Sequence, residues 1–204
     1  MALPSLSSGT AADSDQVVDG GTLRRAVFLD RDGVINRAVI RDGKPYPPNS
    51  AADLEIFPGV ATSLQRLRAA GFFNIVVTNQ PDVATGIQRL AEVESMHLHL
   101  RTELAIDAIK VCYHVDADNC ACRKPKPGLL TAAAAEYGID LARSYMIGDR
   151  WRDVEAGQAA GCLPPYFIDL GYLEKQPTKP YITVRSLPET AALILSEPLF
   201  NHRL

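Results

Sequence analysis

Two carboxylates, Asp30 and Asp32, stand two residues apart in the stretch FLDRDGVIN, directly after an apolar run and before a glycine. Like charges that close repel, and neither can be buried unpaired without a large desolvation cost. They are either solvated turn residues or groups gathered around something positive. Other apolar runs end on polar chemistry too: Thr78 and Asn79 close FNIVVTN, His114 closes AIKVCYH, and Asp149 closes SYMIGD. A second cluster has a different character. In VCYHVDADNCACRKP, Cys112 and His114 are two apart, Cys120 and Cys122 are two apart, and five residues separate the pairs. Three thiolates and one imidazole match a closed tetrahedral zinc site, which is structural because no position is left open for water. The fourth cysteine, Cys162, follows Gly161 at the end of a helical stretch and reads as a buried small residue.

The elements that must position these groups alternate. RAVFLD, FNIVVTN, AIKVCYH, SYMIGD and PYFIDL are short apolar runs of the kind found in buried parallel strands. Between them lie helical stretches: PGVATSLQRLRAAG with Val60, Leu64 and Leu67 on one face, residues 90–104, KPGLLTAAAAEYG and RDVEAGQAAG. ITVRSLPETAALIL adds a last short strand and a closing helix. Such alternation predicts an α/β fold, a Rossmann-like parallel sheet with helices on both faces. In such a sheet ligands bind beyond the carboxyl ends of the strands, which is where Asp30, Asp32, Thr78, Asn79, His114 and Asp149 fall. The stretch 37–57, rich in Pro, Gly and Asp, is expected as one long irregular loop.

The 204 residues suit one domain with a real core, taken as 25–204. Residues 1–24, rich in small and polar side chains, are expected as a flexible tail without the basic start and apolar stretch of a signal peptide. With 21 basic and 24 acidic residues the net charge is -3, which argues against a nucleic-acid groove. No apolar run approaches the roughly 20 residues that span a bilayer. A cytoplasmic monomer with neither nucleic-acid nor membrane partners is expected.

Together the motifs resemble the haloacid dehalogenase superfamily of phosphotransferases: FLDRDGVIN its first motif, VVTNQ its second, Lys124 in CRKPKPG its third, and MIGDRWRD its fourth. The resemblance runs from about Arg25 to the C-terminal helix. It implies a phosphatase in which Asp30 is the nucleophile and forms an aspartyl-phosphate, while Asp32 protonates the leaving alkoxide and then deprotonates the attacking water. Mg²⁺, a hard cation that takes oxygen ligands, would be held by Asp30, Asp149 and the backbone carbonyl of Asp32. The positive centre that lets the acidic groups coexist is then the metal. Thr78, Asn79 and Gln80 are implied to bind the phosphoryl group, Lys124 to neutralise its charge, and Asp153 to orient a metal-bound water.

The cysteine loop is similar to that of the zinc-bearing subgroup, which holds D-glycero-D-manno-heptose-1,7-bisphosphate 7-phosphatases and histidinol-phosphatases. The resemblance implies a small phosphorylated metabolite as substrate, first a heptose bisphosphate, with histidinol phosphate as the alternative and a non-catalytic metal-binding module as the alternative of another class. Only one helix and a loop separate the first two motifs, so no large cap domain is expected. Arg123 is implied to contact the rest of the substrate, with Arg37 or Lys44 as further grips, and residues 37–57 to line the entrance. Two features depart from the heptose enzymes: Pro81 and Asp82 stand where those carry Ser-Gly, and the five-residue spacing of the loop is that of histidinol-phosphatases.

Overall fold

Ala26, Val27, Phe28 and Leu29 are completely buried, because strand β1 (Arg25–Leu29) lies inside a sheet covered on both faces. The computed structural model describes residues 23–197. Six strands form the sheet, in the order β5 (Ala108–Cys112), β4 (Phe72–Asn79), β1, β6 (Tyr145–Gly148), β7 (Tyr166–Ile168) and β8 (Ile182–Val184). Every neighbouring pair is parallel. The two-residue period of a strand divides the core. Val27, Leu29, Val76 and Ile147 point to one face, where α1 (Val60–Ala69), α2 (Leu90–Glu103) and α5 (Leu187–Ser196) cover them. Ala26, Phe28, Ile75, Val77 and Met146 point to the other, under α3 (Gly128–Tyr137) and α4 (Trp151–Ala160). The expected three-layer α/β architecture is the observed one.

The parallel arrangement brings the carboxyl ends of β1, β4, β5 and β6 to one edge of the sheet, side by side. Asp30 follows β1, Asn79 ends β4, Cys112 ends β5 and Asp149 follows β6. β4 covers its whole expected run, but the other strands of the sheet stop short of theirs; β5, for example, ends at Cys112 and leaves His114 in the loop beyond.

The stretch 37–57 differs from the expected irregular loop. It contains a hairpin of β2 (Val39–Arg41) and β3 (Lys44–Tyr46) and a single 3-10 turn, Ala51–Asp53. Asp42 and Gly43, at φ 49° and 71°, make the two-residue turn. Asp-Gly between short extended segments is a hairpin signal; three-residue strands, one of them carrying Pro45, hide it from a search for alternating apolar residues. Of the expected tail, residues 1–22 lie outside the described residues. Arg24 is held at the edge of the domain: its N–H donates to Gly138 at 2.8 Å and its carbonyl accepts from Asp140 at 2.8 Å. Among the described residues no helix is long and apolar enough to cross a membrane.

Candidate active site

Asp30, Asp149 and Asp153 come within 4.8 Å of one another, measured between one carboxylate oxygen of each, and all three are almost completely buried. The Lys124 ammonium lies among them, 2.8 Å from Asp30 Oδ1 and 2.5 Å from Asp153 Oδ1, and also donates to the Val77 carbonyl at 2.7 Å. One cation against three carboxylates leaves negative charge in excess. Burial pushes Asp30 up to about 6, with Lys124 pulling the other way. Burial, Asp30 and Asp153 push Asp149 well above the usual carboxylate range. Burial works against the charge of Lys124 as well, but Asp153 and Asp30 outweigh it and the ammonium is held protonated. Asp149 Oδ2 accepts from the Tyr172 hydroxyl at 2.8 Å, whereas its Oδ1 is buried with no hydrogen-bond partner. An orphaned carboxylate oxygen in a cluster with excess negative charge fits a hard divalent cation.

Two glycines allow this crowding. At Gly33, with φ +87°, a Cβ would fall 1.8 Å from Asp149 Oδ2; at Gly148 it would fall 2.0 Å from Asp153 Cβ. Asp153 also accepts from the backbone N–H of Arg150 at 3.0 Å, so it caps the start of α4 while pairing with Lys124.

Asp32 sits apart from that cluster. Both its oxygens are taken up by donors: Arg31 Nη2 at 2.8 Å, Arg31 Nε at 3.2 Å to each oxygen, Asn36 Nδ2 at 2.9 Å and Gln80 Nε2 at 3.0 Å. Burial acts to raise its pKa, but the charge of Arg31 and these hydrogen bonds outweigh burial and hold the carboxyl below its ordinary value. Gln80 donates to Thr78 Oγ1 at 2.9 Å as well. It therefore faces Asp32 and Thr78 and is not among the residues lining the cavity described next. Asn79 pairs with the peptide of Lys124 in both directions, donating to its carbonyl at 3.1 Å and accepting from its N–H at 3.2 Å. A primary amide has two N–H groups, which leaves Asn79 one for a ligand.

A cavity of about 200 Å³ opens over Asp30, Asp32, Thr78, Asn79, Lys124 and Asp153. Its outer wall comprises Lys44 to Pro47 of the hairpin, Pro81, Asp82, Arg150 and Arg152. Lys44 is thus at the cavity, as expected of it. Arg37 is not: it pairs with Glu55 at 2.7 Å and stacks on Phe57. Arg123 is also absent from the wall, because its Nε donates to Asp116 Oδ1 at 2.7 Å. Arg152 shares that carboxylate, with Nη2 3.0 Å from Asp116 Oδ2, and its Nη1 reaches the Lys124 carbonyl at 3.3 Å. Sequence reasoning missed Arg31, Asn36, Tyr172, Arg150 and Arg152. Arg150 and Arg152 lie within the fourth motif and could have been read from MIGDRWRD; Tyr172 carries no local signal.

Beside this pocket the second cluster closes as its spacing predicts. Cys112 Sγ lies 3.2 Å from Cys122 and 3.7 Å from Cys120, and Cys120 lies 3.4 Å from Cys122. His114 Nδ1 is 3.3 Å from Cys122 Sγ and 3.6 Å from Cys112 Sγ. All four cysteines of the chain are free thiols. These separations approach the edge of about 3.8 Å of a tetrahedron whose centre is about 2.3 Å from each sulfur, the Zn–S distance. The donor set and its shape fit zinc.

Comparison with known proteins places the chain among hydrolases of one kind. Residues 49–161 match the model of the haloacid dehalogenase-like hydrolases. The chain is 38% identical over 146 residues to D-glycero-beta-D-manno-heptose-1,7-bisphosphate 7-phosphatase of Pseudomonas aeruginosa, covering 69% of this chain and 79% of that one. It is 39% identical over 135 residues to the D-glycero-alpha-D-manno-heptose enzyme of Mycobacterium tuberculosis, covering 63% and 69%. A crystal structure of D,D-heptose 1,7-bisphosphate phosphatase from B. bronchiseptica, complexed with magnesium and phosphate, superposes with a TM-score of 0.72 at 30% identity, covering 84% of this chain and 98% of that one.

Proposed function

The chain belongs to the haloacid dehalogenase-like hydrolase family and is a phosphoric monoester hydrolase, and from that premise we propose that it removes the 7-phosphate of a D-glycero-D-manno-heptose 1,7-bisphosphate. The observation that carries the chemistry is the buried group of Asp30, Asp149 and Asp153 around Lys124, with one Asp149 oxygen unsatisfied. Asp30 and Asp149, with the backbone carbonyl of Asp32, would hold Mg²⁺. When bound, the ion offsets negative charge on the phosphoryl oxygens.

The side chains divide the remaining work. A carboxylate oxygen of Asp30 attacks phosphorus, a P–O bond to Asp30 forms, and the P–O bond to the sugar breaks. Asp32, once it has taken up a proton against the pull of Arg31, gives it to the departing alkoxide, so the sugar leaves as the alcohol. Lys124, held charged by Asp30 and Asp153, stabilises the charge on the transferring group. Thr78 and Asn79 donate to its oxygens. Water then adds to phosphorus, Asp32 takes the proton the water loses, and the bond to Asp30 breaks to release inorganic phosphate, restoring the Asp30 carboxylate and the protonated Asp32.

The walls support a substrate with a second anion. Outside the reacting groups the cavity presents Lys44, Arg150 and Arg152 beside the carboxylate Asp82; Arg150 pairs with Glu174 and Arg152 with Asp116, so either guanidinium can exchange its carboxylate for a substrate anion. Cations placed to turn to a second phosphate suit a sugar bisphosphate better than histidinol phosphate, whose far end is cationic. Arg123 joins these cations once an anionic group competes with Asp116 for its guanidinium. Zinc on Cys112, His114, Cys120 and Cys122 would pin the loop that delivers Arg123 and Lys124. Phosphate release from heptose 1,7-bisphosphate and from histidinol phosphate, assayed side by side, tests the substrate. The expected kcat/KM ratio is at least about tenfold in favour of the bisphosphate, roughly 1.4 kcal/mol in transition-state binding. The reverse preference would overturn the heptose reading and leave the phosphatase mechanism standing.

A further inference from the structure

Arg31 lies between the two reacting carboxylates in the chain, yet its own side chain is completely buried and no atom of it lines the cavity. A buried guanidinium needs a partner for every donor. Three of its contacts go to Asp32. Nη1 instead meets His97 Nε2 at 3.1 Å. A guanidinium can only donate, so Nε2 accepts, which requires a neutral imidazole with its proton on Nδ1. Burial and the charge of Arg31 hold His97 at about 4, in agreement.

The position of His97 is otherwise hard to account for. It sits on the buried face of α2, among Val93, Met96 and Leu100, where the helix offers its apolar side to the sheet. A polar ring there is unfavourable unless hydrogen-bonded, and the bond it makes is to Arg31. Among the described residues Arg31 has no carboxylate within ion-pair distance other than Asp32. The contacts therefore form a chain from helix to reacting group: α2 fixes His97, His97 fixes the plane of Arg31, and Arg31 fixes both oxygens of Asp32. Asn36 and Gln80 complete the hold from the other sides.

We propose that Arg31 and His97 are positioning residues for the proton transfer by Asp32. His97 acts without touching the substrate, by keeping the guanidinium in the orientation that aims the Asp32 carboxyl at the leaving oxygen. This rests on the assignment of Asp32 as proton donor, so the test includes Asp32 itself.

The measurement is kcat/KM for an alkyl ester, glycerol 3-phosphate, and for p-nitrophenyl phosphate, whose leaving group departs as the anion without needing a proton. This parameter reports steps through departure of the leaving group, and the ratio of the two esters isolates proton donation from folding and from phosphate binding. On the full chain with both metals supplied, D32N is expected to depress the alkyl-to-aryl ratio by about 100-fold or more. R31M and H97L are expected to depress it about tenfold, and H97Q, whose amide oxygen can still accept from Arg31, to restore most of the loss. Should H97L not fold, H97N, too short to reach the guanidinium, carries the same comparison. An unchanged ratio in folded R31M and in the His97 variant, with D32N depressed, overturns the positioning role alone. An unchanged ratio in D32N overturns the assignment of Asp32 and the inference with it.

Discussion

The carboxylate cluster and the cysteine cluster lie side by side at the same edge of the sheet, and they solve the problem of crowding ligand groups in different ways. Asp30 and Asp149 stand directly after two hydrogen-bonded neighbouring strands. Their spacing is set by the backbone ladder, and Lys124 partly balances their charge. The cysteine cluster has only Cys112 on a strand; His114, Cys120 and Cys122 lie in a loop whose regular structure amounts to one 3-10 turn, Asp116–Asp118. A sheet edge holds a site before any ion arrives. A loop of this kind would hold its shape through a bound ion. The prediction is asymmetric: the first site should lose chemistry and keep its fold, the second should lose local structure and only then chemistry.

The largest expected effect breaks chemistry alone. Asp30→Asn is nearly isosteric and replaces the attacking carboxylate with an uncharged, non-nucleophilic amide, so turnover should fall at least about 10³-fold, near 4 kcal/mol in barrier, with the melting temperature little changed. Near-normal turnover in the folded variant would end the covalent mechanism.

Zinc removal tests the other side. The protein prepared without chelator should carry about one zinc per chain, because thiolate sites bind it tightly. Stripping zinc, or Cys120→Ser, should lower the melting temperature and cut turnover about 10- to 100-fold, and excess Mg²⁺ should not restore turnover. Proteolysis confined to residues 113–127 in the stripped protein would locate the loosened segment. An active, equally stable protein without zinc would show that the loop holds itself.

Gly33→Ala probes how tightly the sheet-edge site is built. The new Cβ would meet Asp149 Oδ2, and the positive φ adds strain of about 1–3 kcal/mol. Raised Mg²⁺ demand and about tenfold lower turnover at fixed metal are expected. Normal Mg²⁺ dependence would mean that Asp149 does not need its present position.

The smallest effect lies where the two regions touch. Arg123 and Arg152 both bind Asp116, joining the cysteine loop to α4. Arg123→Ala should raise KM for the bisphosphate about three- to tenfold, up to roughly 1.4 kcal/mol, and change KM for a monophosphate less. Equal effects on both substrates would assign Arg123 to loop structure instead of substrate contact.

Much of this was legible in the chain. Apolar runs of four to eight residues alternating with helical periodicity carry the α/β fold, since a strand buried on both faces can be written in few other ways. Asp30, Thr78, Asn79 and Asp149 were readable as one site because a parallel sheet carries strand ends to a common edge. The hairpin over 39–46 was signalled by Asp42-Gly43 and escaped notice because its strands are only three residues long.

The sequence by itself determined which groups lie at the sheet edge and which four side chains form the cysteine cluster, because backbone periodicity and residue spacing are local properties. Only the tertiary structure decided where the long charged side chains point. Arg31 turns inward to His97 on another element, Arg123 turns to Asp116, and Tyr172 comes from beyond β7 to bond Asp149. A guanidinium on a flexible stem takes whichever buried acceptor the packing of other elements offers, and that choice is made by contacts between residues far apart in the chain.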